Sequence, residues 1–311
     1  MKEKILIYRH CSLGDFIVSL PAIKLIRDNH PNAVIYLGCL TIEKMGYVRP
    51  HQIPINTGLI DKFIYFERSW FSYLRFLIEI KKKKFNKMYY LNEIPSVIKL
   101  KRDLFLFNLS GIKEKAGFEK IKYNYEKFNE TYYLCKRIKK KISKKDITFK
   151  NLINNSTNKS KLNYITISLG GKSDLKKWNI KNWIFIVSKI IIKYPNLKIK
   201  IIGSKNEKKM SEQITILNRK KIINLCGNTN IRQLFDIIRS SKYHISHDDG
   251  TMHIASTFKK KGIAIFGITS EKGRWFPTNS NQKIFYPKKH INQIKPEKII
   301  NFIYRSLDSL R

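Results

Sequence analysis

The stretch YHISHDDGTMHIA, residues 243–255, places two acids, a glycine and flanking histidines around the end of a run typical of a buried strand. If a helix begins near Gly250, the main-chain N–H groups of Gly250, Thr251 and Met252 have no partner within that helix. Such donors bind anions, and His253, one turn further on, can reach the same anion. The stretch therefore predicts either an anion site or an ordinary capped helix.

The two acids have three roles open to them. Asp248 and Asp249 can cap the helix, bind a sugar hydroxyl or order a lysine. A metal site formed by His247, Asp248, Asp249 and His253 is a further alternative. Their spacing is not that of the HExxH motif, and basic residues elsewhere in the chain can neutralise a phosphate instead. We therefore expect no metal ion and no cofactor.

A second candidate loop, SLGGKSDLKKWN, covers residues 168–179 and follows another predicted strand. Gly170 and Gly171 allow a ligand to approach the main chain, and Lys172 and Lys176 add positive charge, a combination that suits a diphosphate. The loop has neither the Walker A spacing nor the GxGxxG fingerprint. Lysines on a surface loop remain the alternative.

The third candidate, HCSLGD at residues 10–15, lies at the first predicted strand-to-helix turn. Gly14 would permit a tight turn and would place Asp15 at the start of the helix, beside the carboxyl end of the strand. Asp15 is then either a general base facing a cleft or an N-terminal helix cap. Ser12 is an alternative cap, which would leave Asp15 free.

Alternating strand and helix patterns position these loops. A short apolar strand, an amphipathic helix and a second strand open the chain, and a further strand–helix series begins at LNYITISLGG. The segment 119–160 is rich in lysine and asparagine and is expected to end the first domain and form a linker. We therefore predict an α/β protein with two doubly wound parallel sheets facing across a cleft, in domains 1–158 and 159–311. The C-terminal helix is expected to belong to the second domain or to pack back on the first.

The composition indicates an anionic partner. The 311 residues include 62 Lys or Arg and 23 Asp or Glu, which gives a formal net charge of +39. Nucleic acid, an anionic membrane surface and a phosphorylated substrate all fit this charge, as does compositional drift. Four widely spaced cysteines without a CxxC pair favour a reducing cytoplasm over a zinc site. No apolar stretch approaches the ~20 residues that span a bilayer.

Ordered segments of both halves resemble glycosyltransferase family 9, the lipopolysaccharide heptosyltransferases. The similar segments are YRHCSLGDFIVSLPAIKLIRDNHPNAVIYL, LIDKFIYFERS, LKRDLFLFNLSGIKEKAGF and the long run from INLCGNTN to GRWFP. The resemblance covers about residues 4–277 except roughly 120–160. It implies the GT-B fold, two Rossmann-like domains with the active site between them, and transfer with inversion, usually of heptose from ADP-heptose.

The resemblance also implies roles for particular residues. Asp15 matches the base of the family's GD motif, and Lys176 matches a phosphate-binding lysine. Asp248, Gly250, Thr251 and His253 match its D-x-G-x-x-H nucleotide motif, and Glu207 matches an acid that meets the ribose. We include Gly171, Lys172, Asp249 and Met252 on the donor side, and Arg9, Ser12 and Gly14 on the acceptor side.

The chain departs from the family pattern in the middle of the first domain, where acceptors bind and the match is poor, and in two donor-side loops. The loop SLGGKSD lacks the proline or paired threonines of many members. Asp249 stands where Ser or Thr is frequent, and its charge would repel a diphosphate unless it points away or meets Lys172 or Lys176.

The expected function is therefore an inverting transfer of heptose from ADP-heptose to a lipopolysaccharide core acceptor. The expected partners are the nucleotide sugar, an anionic lipid-linked oligosaccharide and the inner membrane surface. The expected location is the cytoplasm, with peripheral contact at the inner face of the inner membrane as part of that expectation. WFSYLRFLIEIKKKK is the candidate membrane contact, and a plain packed helix is its alternative. One competing function is transfer from another nucleotide sugar by an enzyme of the same family. The other is that of a basic, non-enzymatic nucleic-acid-binding protein. No nucleic-acid-binding motif is present, so no nucleic-acid partner is expected.

Overall fold

The computed structural model describes residues 2–10, 12–41, 47–93, 96–119, 121–154, 162–171, 173–269, 271–278 and 281–310. Contacts within the chain group it into two compact units, Met1–Asn154 and Asn155–Arg311. The boundary expected between residues 158 and 159 lies outside the described residues, as does Lys172.

The first unit contains a parallel five-stranded sheet flanked by helices. Its strands are β1 (Lys4–Tyr8), β2 (Val34–Leu40), β3 (Lys62–Phe66), β4 (Lys87–Tyr90) and β5 (Glu114–Ala116), in the order β3-β2-β1-β4-β5. Its helices are α1 (Leu13–Asn29), α2 (Trp70–Lys83), α3 (Val97–Leu109) and α4 (Glu130–Lys136). The strand order reverses between β1 and β4, and this switch point is where sheets of this kind bind ligands.

The second unit repeats this plan with six parallel strands. They are β6 (Tyr164–Ser168), β7 (Lys198–Ile202), β8 (Ile222–Asn224), β9 (Tyr243–His247), β10 (Gly262–Ile265) and β11 (Gln282–Phe285), in the order β11-β10-β9-β6-β7-β8. The helices are α5 (Ile180–Lys193), α6 (Lys208–Thr215), α7 (Ile231–Ser240), α8 (Gly250–Thr257) and α9 (Pro296–Asp308). The switch point lies between β6 and β9. The prediction of two doubly wound parallel sheets is confirmed.

The structure adds a helix to the segment 119–160 and decides between the two alternatives for the C-terminal helix. The segment 119–160 contains α4, which packs on α1 and buries Tyr133, Leu134 and Cys135. The three apolar side chains are contiguous and the helix has seven residues, so no helical period stands out from the lysine-rich surroundings. The C-terminal helix α9 packs on α5, and its apolar side chains, such as Ile299 and Ile303, belong to the core of the second unit rather than the first.

Large apolar side chains fill both cores, aromatic as well as aliphatic in the first unit, because strands covered by helices on both faces are buried throughout. All five residues of β6 and of β9 are buried. No helix among the described residues is long and apolar enough to cross a membrane.

Candidate functional site

The carboxyl ends of β6, β7 and β9 bring three loops of the second unit together. A methyl group placed on Gly170, after β6, would lie 3.5 Å from the Asp249 Oδ2 atom and 3.9 Å from the Glu207 Cδ atom. Asp249 follows β9 and Glu207 follows β7, so residues far apart in the sequence surround one glycine. Three groups that the sequence analysis named separately therefore share one edge of the sheet, at its switch point.

Asp249 caps α8 and occupies its first main-chain donors. Its carboxylate accepts hydrogen bonds from the N–H groups of Thr251, at 2.8 Å, and Met252, at 3.1 Å. It also accepts the hydroxyls of Thr251 and Ser168, both at 2.6 Å. The expectation that the amides of Thr251 and Met252 are free is therefore wrong, because an Asp at the N-cap satisfies these donors from within the chain.

Hydrogen bonding and burial shift the pKa of the Asp249 carboxyl in opposite directions. Burial raises the pKa of Asp249, and the hydrogen bonds from Ser168, Thr251 and Met252 oppose that shift. The hydrogen bonds to Thr251, Met252 and Ser168 show that the side chain is turned toward α8 and β6.

Asp248 and Lys176 form an ion pair at the same edge. Their side chains are 5% and 18% exposed, so the pair is largely shielded from solvent. Lys176 ends a short 3-10 turn, Asp174–Lys176, in the loop after β6. An ammonium has three N–H donors, so binding one carboxylate oxygen leaves donors for a second anion. Of the roles considered for the two acids, Asp248 orders a lysine and Asp249 caps the helix.

His247 ties both ends of the lysine-bearing loop to β9. Its Nε2 atom accepts the Trp178 N–H at 3.0 Å, and its Nδ1 atom donates to the Gly170 carbonyl at 2.9 Å. These partners fix the neutral ring with its proton on Nδ1, and burial lowers the pKa of His247 to about 4. With both ring nitrogens engaged, His247 has no lone pair for a metal ion. Among the described residues there is no cluster of three His, Cys, Asp or Glu side chains placed to hold one.

His244 supports the cap of α8 from behind. Its ring nitrogens lie 2.9 Å from the Thr166 hydroxyl and 3.1 Å from the Thr251 hydroxyl. Because Thr251 donates its own proton to Asp249, the His244 Nε2–H donates to Thr251. Burial lowers the pKa of His244 to about 3. Sequence reasoning assigned no role to this histidine, and its position inside a buried strand is the signal that identifies it.

Gly267 allows the end of β10 to contact the same loop. A methyl group on Gly267 would lie 2.0 Å from the Leu175 carbonyl oxygen, a distance that no side chain permits. Gly171 is less constrained, since its methyl group would lie 3.3 Å from the Lys176 Cβ atom. Gly267 was not among the predicted site residues, although it packs against the turn that carries Lys176.

Glu207 belongs to the turn after β7. Its Oε2 atom accepts the N–H and hydroxyl of Ser204, at 2.8 and 2.6 Å. No hydrogen bond reaches its Oε1 atom from the part of the chain that the structure describes.

Met252 and His253 are the remaining predicted site residues of α8. The Met252 side chain packs with Ala264 and Phe266 in an apolar cluster, so it contributes to the core. His253 is buried, with 5% of its surface exposed, in the first half of α8.

The edge of the first unit is organised around the start of α1. The helix begins at Leu13, so Gly14 lies in its first turn and makes no tight turn, contrary to expectation. Asp15 accepts the N–H and hydroxyl of Ser12, at 3.0 and 2.5 Å, both on its Oδ2 atom. Ser12 and Asp15 are therefore partners in one capping arrangement rather than alternatives.

Arg9 connects the two strands at the first switch point. Its guanidinium is buried and donates to the Leu91 carbonyl, which follows β4, at 2.5 Å, and to the Asp15 carbonyl at 3.5 Å. His10 next to it is also kept neutral. Burial and the charges of Lys99, Arg9 and Arg68, opposed by Asp103, lower the pKa of His10 to about 4. The edge that carries Asp15 is therefore electropositive.

The chain belongs to glycosyltransferase family 9 (heptosyltransferase), whose family model matches residues 105–300. This match covers the second-unit loops described above but not Asp15. Lipooligosaccharide heptosyltransferase 2 of Campylobacter jejuni is 34% identical over 101 residues, 27% of this chain. That match spans 31% of the relative's length.

Solved structures resemble the chain over nearly its whole length. The Escherichia coli ADP-heptose lipopolysaccharide heptosyltransferase II has a TM-score of 0.73 and 16% identity, and 99% of each chain is covered. The E. coli heptosyltransferase WaaC, solved with ADP, has a TM-score of 0.71 and 15% identity over 97% of this chain and 99% of that one. These likenesses confirm the predicted GT-B fold.

Proposed function

We propose that the protein transfers heptose from ADP-heptose to a lipopolysaccharide core acceptor, with inversion at the anomeric carbon. The observation that carries this proposal is the assembly of Lys176, Asp248, Glu207 and Gly170 at the switch point of the second unit. Membership of family 9 supports the choice of donor, as do the ADP and ADP-heptose complexes of structurally similar heptosyltransferases.

In this proposal the donor diphosphate binds at Lys176 and the glycines of the loop. Lys176 is held by Asp248 in a position that requires little reorganisation, and a pre-positioned cation stabilises the negative charge that develops on the leaving phosphate. His253 is the second candidate for that contact. The Glu207 carboxylate accepts a ribose hydroxyl through Oε1.

The Asp249 charge does not oppose this arrangement, because the amides and hydroxyls of α8 and β6 already surround its carboxylate. Its role is to hold the start of α8. The diphosphate then depends on Lys176 more than on helix amides, which differs from the expectation drawn from the sequence.

The proposed reaction needs Asp15 at the acceptor hydroxyl while the donor is bound to the second unit. Asp15 takes the hydroxyl proton as the acceptor oxygen attacks the anomeric carbon from the face opposite the leaving group. The bond from that carbon to the diphosphate breaks, and ADP leaves with the bonding pair. Arg9, Lys99 and Arg68 supply the positive field that favours a phosphorylated acceptor.

Nucleotide titrations and a transfer assay test this proposal. We expect calorimetry to show ADP binding at least about tenfold tighter than UDP or GDP, a difference of about 1.4 kcal/mol. We also expect ADP release from ADP-heptose only when a heptose-deficient core acceptor is present. A preference for UDP would favour another donor within the family. Salt-dependent RNA binding without any nucleotide binding would overturn the proposal.

A further inference from the structure

Two helices of the first unit turn large apolar side chains toward solvent. Eight of the fifteen exposed large apolar side chains in the described part of the chain lie on α2 and α3. On α2 these are Trp70, Phe71, Leu74 and Ile78. On α3 they are Val97, Ile98, Phe105 and Leu109. Phe71 and Ile98 are 77% and 82% exposed. The outward side of a surface helix is normally polar, so an apolar concentration of this kind marks an interaction surface.

The core of the first unit does not need these side chains. The opposite sides of the two helices already fill it, with Phe76 and Ile80 of α2 and Phe107 of α3 packed in one cluster. Strand side chains in that cluster, including Leu6 and Tyr8, come from a single face of the sheet, so α2 and α3 lie side by side on that face. Their outward sides therefore form one surface, here called the α2–α3 face.

Basic side chains surround the apolar ones. Arg75 and Lys82 lie on the exposed side of α2, and Lys101 lies on that of α3. None of the three forms an ion pair with another described residue. The acids of the two helices are already engaged: Glu79 pairs with Lys83, and Asp103 is buried and pairs with Arg102. The α2–α3 face thus combines apolar bulk with net positive charge.

We propose that the α2–α3 face docks on an anionic lipid bilayer, with its apolar side chains at the boundary of headgroups and acyl chains. Amphipathic helices bind such surfaces through buried apolar area and through attraction to anionic lipids, which each nearby Lys or Arg strengthens. A second copy of this chain is a poorer occupant because each copy carries a formal charge of +39. RNA satisfies the charges but leaves the aromatic and aliphatic side chains in water.

The direction of the helices gives the docking a consequence for the active site. Helix α2 follows β3 and α3 follows β4, so both begin near the carboxyl edge of the sheet, the edge that carries Asp15. Trp70, Phe71, Val97 and Ile98 are the first two residues of each helix. Docking through them brings Asp15 toward the membrane surface. This last step rests on the proposed function, because it assumes a lipid-linked acceptor.

Vesicle binding tests the docking directly. The full chain is sedimented with vesicles of phosphatidylethanolamine and phosphatidylglycerol, and with vesicles of phosphatidylcholine alone. The test variant is Phe71→Ser with Ile98→Ser, and the matched control is Ile192→Ser with Ile216→Ser on the second unit, where both side chains are 74% and 64% exposed. We expect the wild type to prefer the anionic vesicles. We expect the test variant to lose about tenfold or more in partitioning and the control less than about twofold.

Trp70 fluorescence measures insertion at the same site. Of the four tryptophans, Trp178 and Trp183 are buried and Trp275 is half-buried, whereas Trp70 is 65% exposed. We expect vesicles with brominated acyl chains to quench the wild type, and Trp70→Phe to remove most of that quenching. The proposal would be overturned if the control variant lost as much vesicle binding as the test variant, or if the test variant bound vesicles as well as the wild type. It would also be overturned if the wild type showed no preference for anionic vesicles and the test variant bound RNA as tightly as the wild type.

Failure of this inference can be distinguished from failure of the proposed function. The vesicles contain no acceptor and the assay contains no donor, while ADP binding of each variant is measured separately by calorimetry. Unchanged ADP affinity in the test variant shows that it is folded. If vesicles fail to bind while ADP does bind, docking is refuted and the proposed function stands.

Discussion

The two units share one architecture but hold their charged groups in different ways. In the first unit, Asp15 is held by Ser12, three residues away on the same helix start. In the second unit, Lys176 and Asp248 are 72 residues apart, and His247 bonds to Gly170 and Trp178 on a loop that is at least 69 residues away. The cap that positions the Asp15 carboxylate is local, whereas the second site is assembled by tertiary structure. We therefore expect damage at the first to reduce chemistry alone and damage at the second to reduce both ligand binding and stability.

The largest expected effect is on the local site. Asp15→Asn keeps an oxygen that can accept from Ser12 but cannot take the acceptor proton, so the transfer rate should fall by about 10²–10⁴-fold. ADP affinity and the melting temperature should change little. Asp28→Asn, at the exposed end of the same helix, is the control. Turnover within a few-fold of wild type in the Asp15 variant would remove it from the role of base.

The pH dependence of stability separates the buried histidines of the second unit from exposed ones. His247 has a pKa of about 4 in the folded chain, below the value of about 6.5 expected when unfolded. The unfolded chain therefore binds more protons between these pH values, and the free energy of unfolding falls as the pH falls from 6.5 toward 4. His247 accounts for about 3 kcal/mol of this loss.

The variant His247→Asn should reduce the slope of that part of the profile, measured by urea unfolding at several pH values, while His244 and His10 continue to contribute to it. The same substitution of the exposed His290 is the control. Identical slopes in both variants would contradict the neutral, buried state of His247.

Breaking the ion pair between Lys176 and Asp248 should reduce both ADP affinity and stability. Lys176→Met should weaken ADP binding by about tenfold or more, since hydrogen bonds to charged groups contribute about 1.5–3 kcal/mol. It should also lower the free energy of unfolding by about 2 kcal/mol, because Asp248 is left buried without its cation. Adding Asp248→Asn should restore much of the stability and none of the affinity.

The control is Lys193→Met. Lys193, at the end of α5, pairs with Asp308, at the end of α9, and this ion pair is more exposed than the one between Lys176 and Asp248. The control substitution should leave ADP binding unchanged and cost less than about 1 kcal/mol. An equal loss of ADP affinity in both variants would show that Lys176 has no special place in the site.

The smallest effect concerns the cap of α8. Asp249→Ala should lower the free energy of unfolding by about 1–2 kcal/mol, because two main-chain donors lose their partner. Asp249→Asn retains an acceptor oxygen and should recover most of that loss in thermal unfolding. If both substitutions are equally destabilising, the carboxylate charge rather than the cap is what the fold requires.

The same contrast explains what the sequence reveals. The strand–helix alternation and the acids at the starts of α1 and α8 are local patterns, so the fold and the positions of Asp15 and Asp249 could be predicted. The capture of the Thr251 and Met252 amides by Asp249 was weighed only as an alternative, because spacing does not distinguish a capped helix from an open one. The roles of His247, His244 and Gly267 depend on contacts between distant loops, which a single sequence does not contain. Helix α4 was missed because its buried positions are too few to show a period.

The most direct test of the account is hydrogen exchange with and without ADP. The account predicts slower exchange with ADP in peptides covering residues 168–178, 203–210 and 247–254, and unchanged exchange in residues 9–20. Protection confined to the first unit, or protection in the second unit that leaves the loop carrying Lys176 unaffected, would contradict the donor site described above.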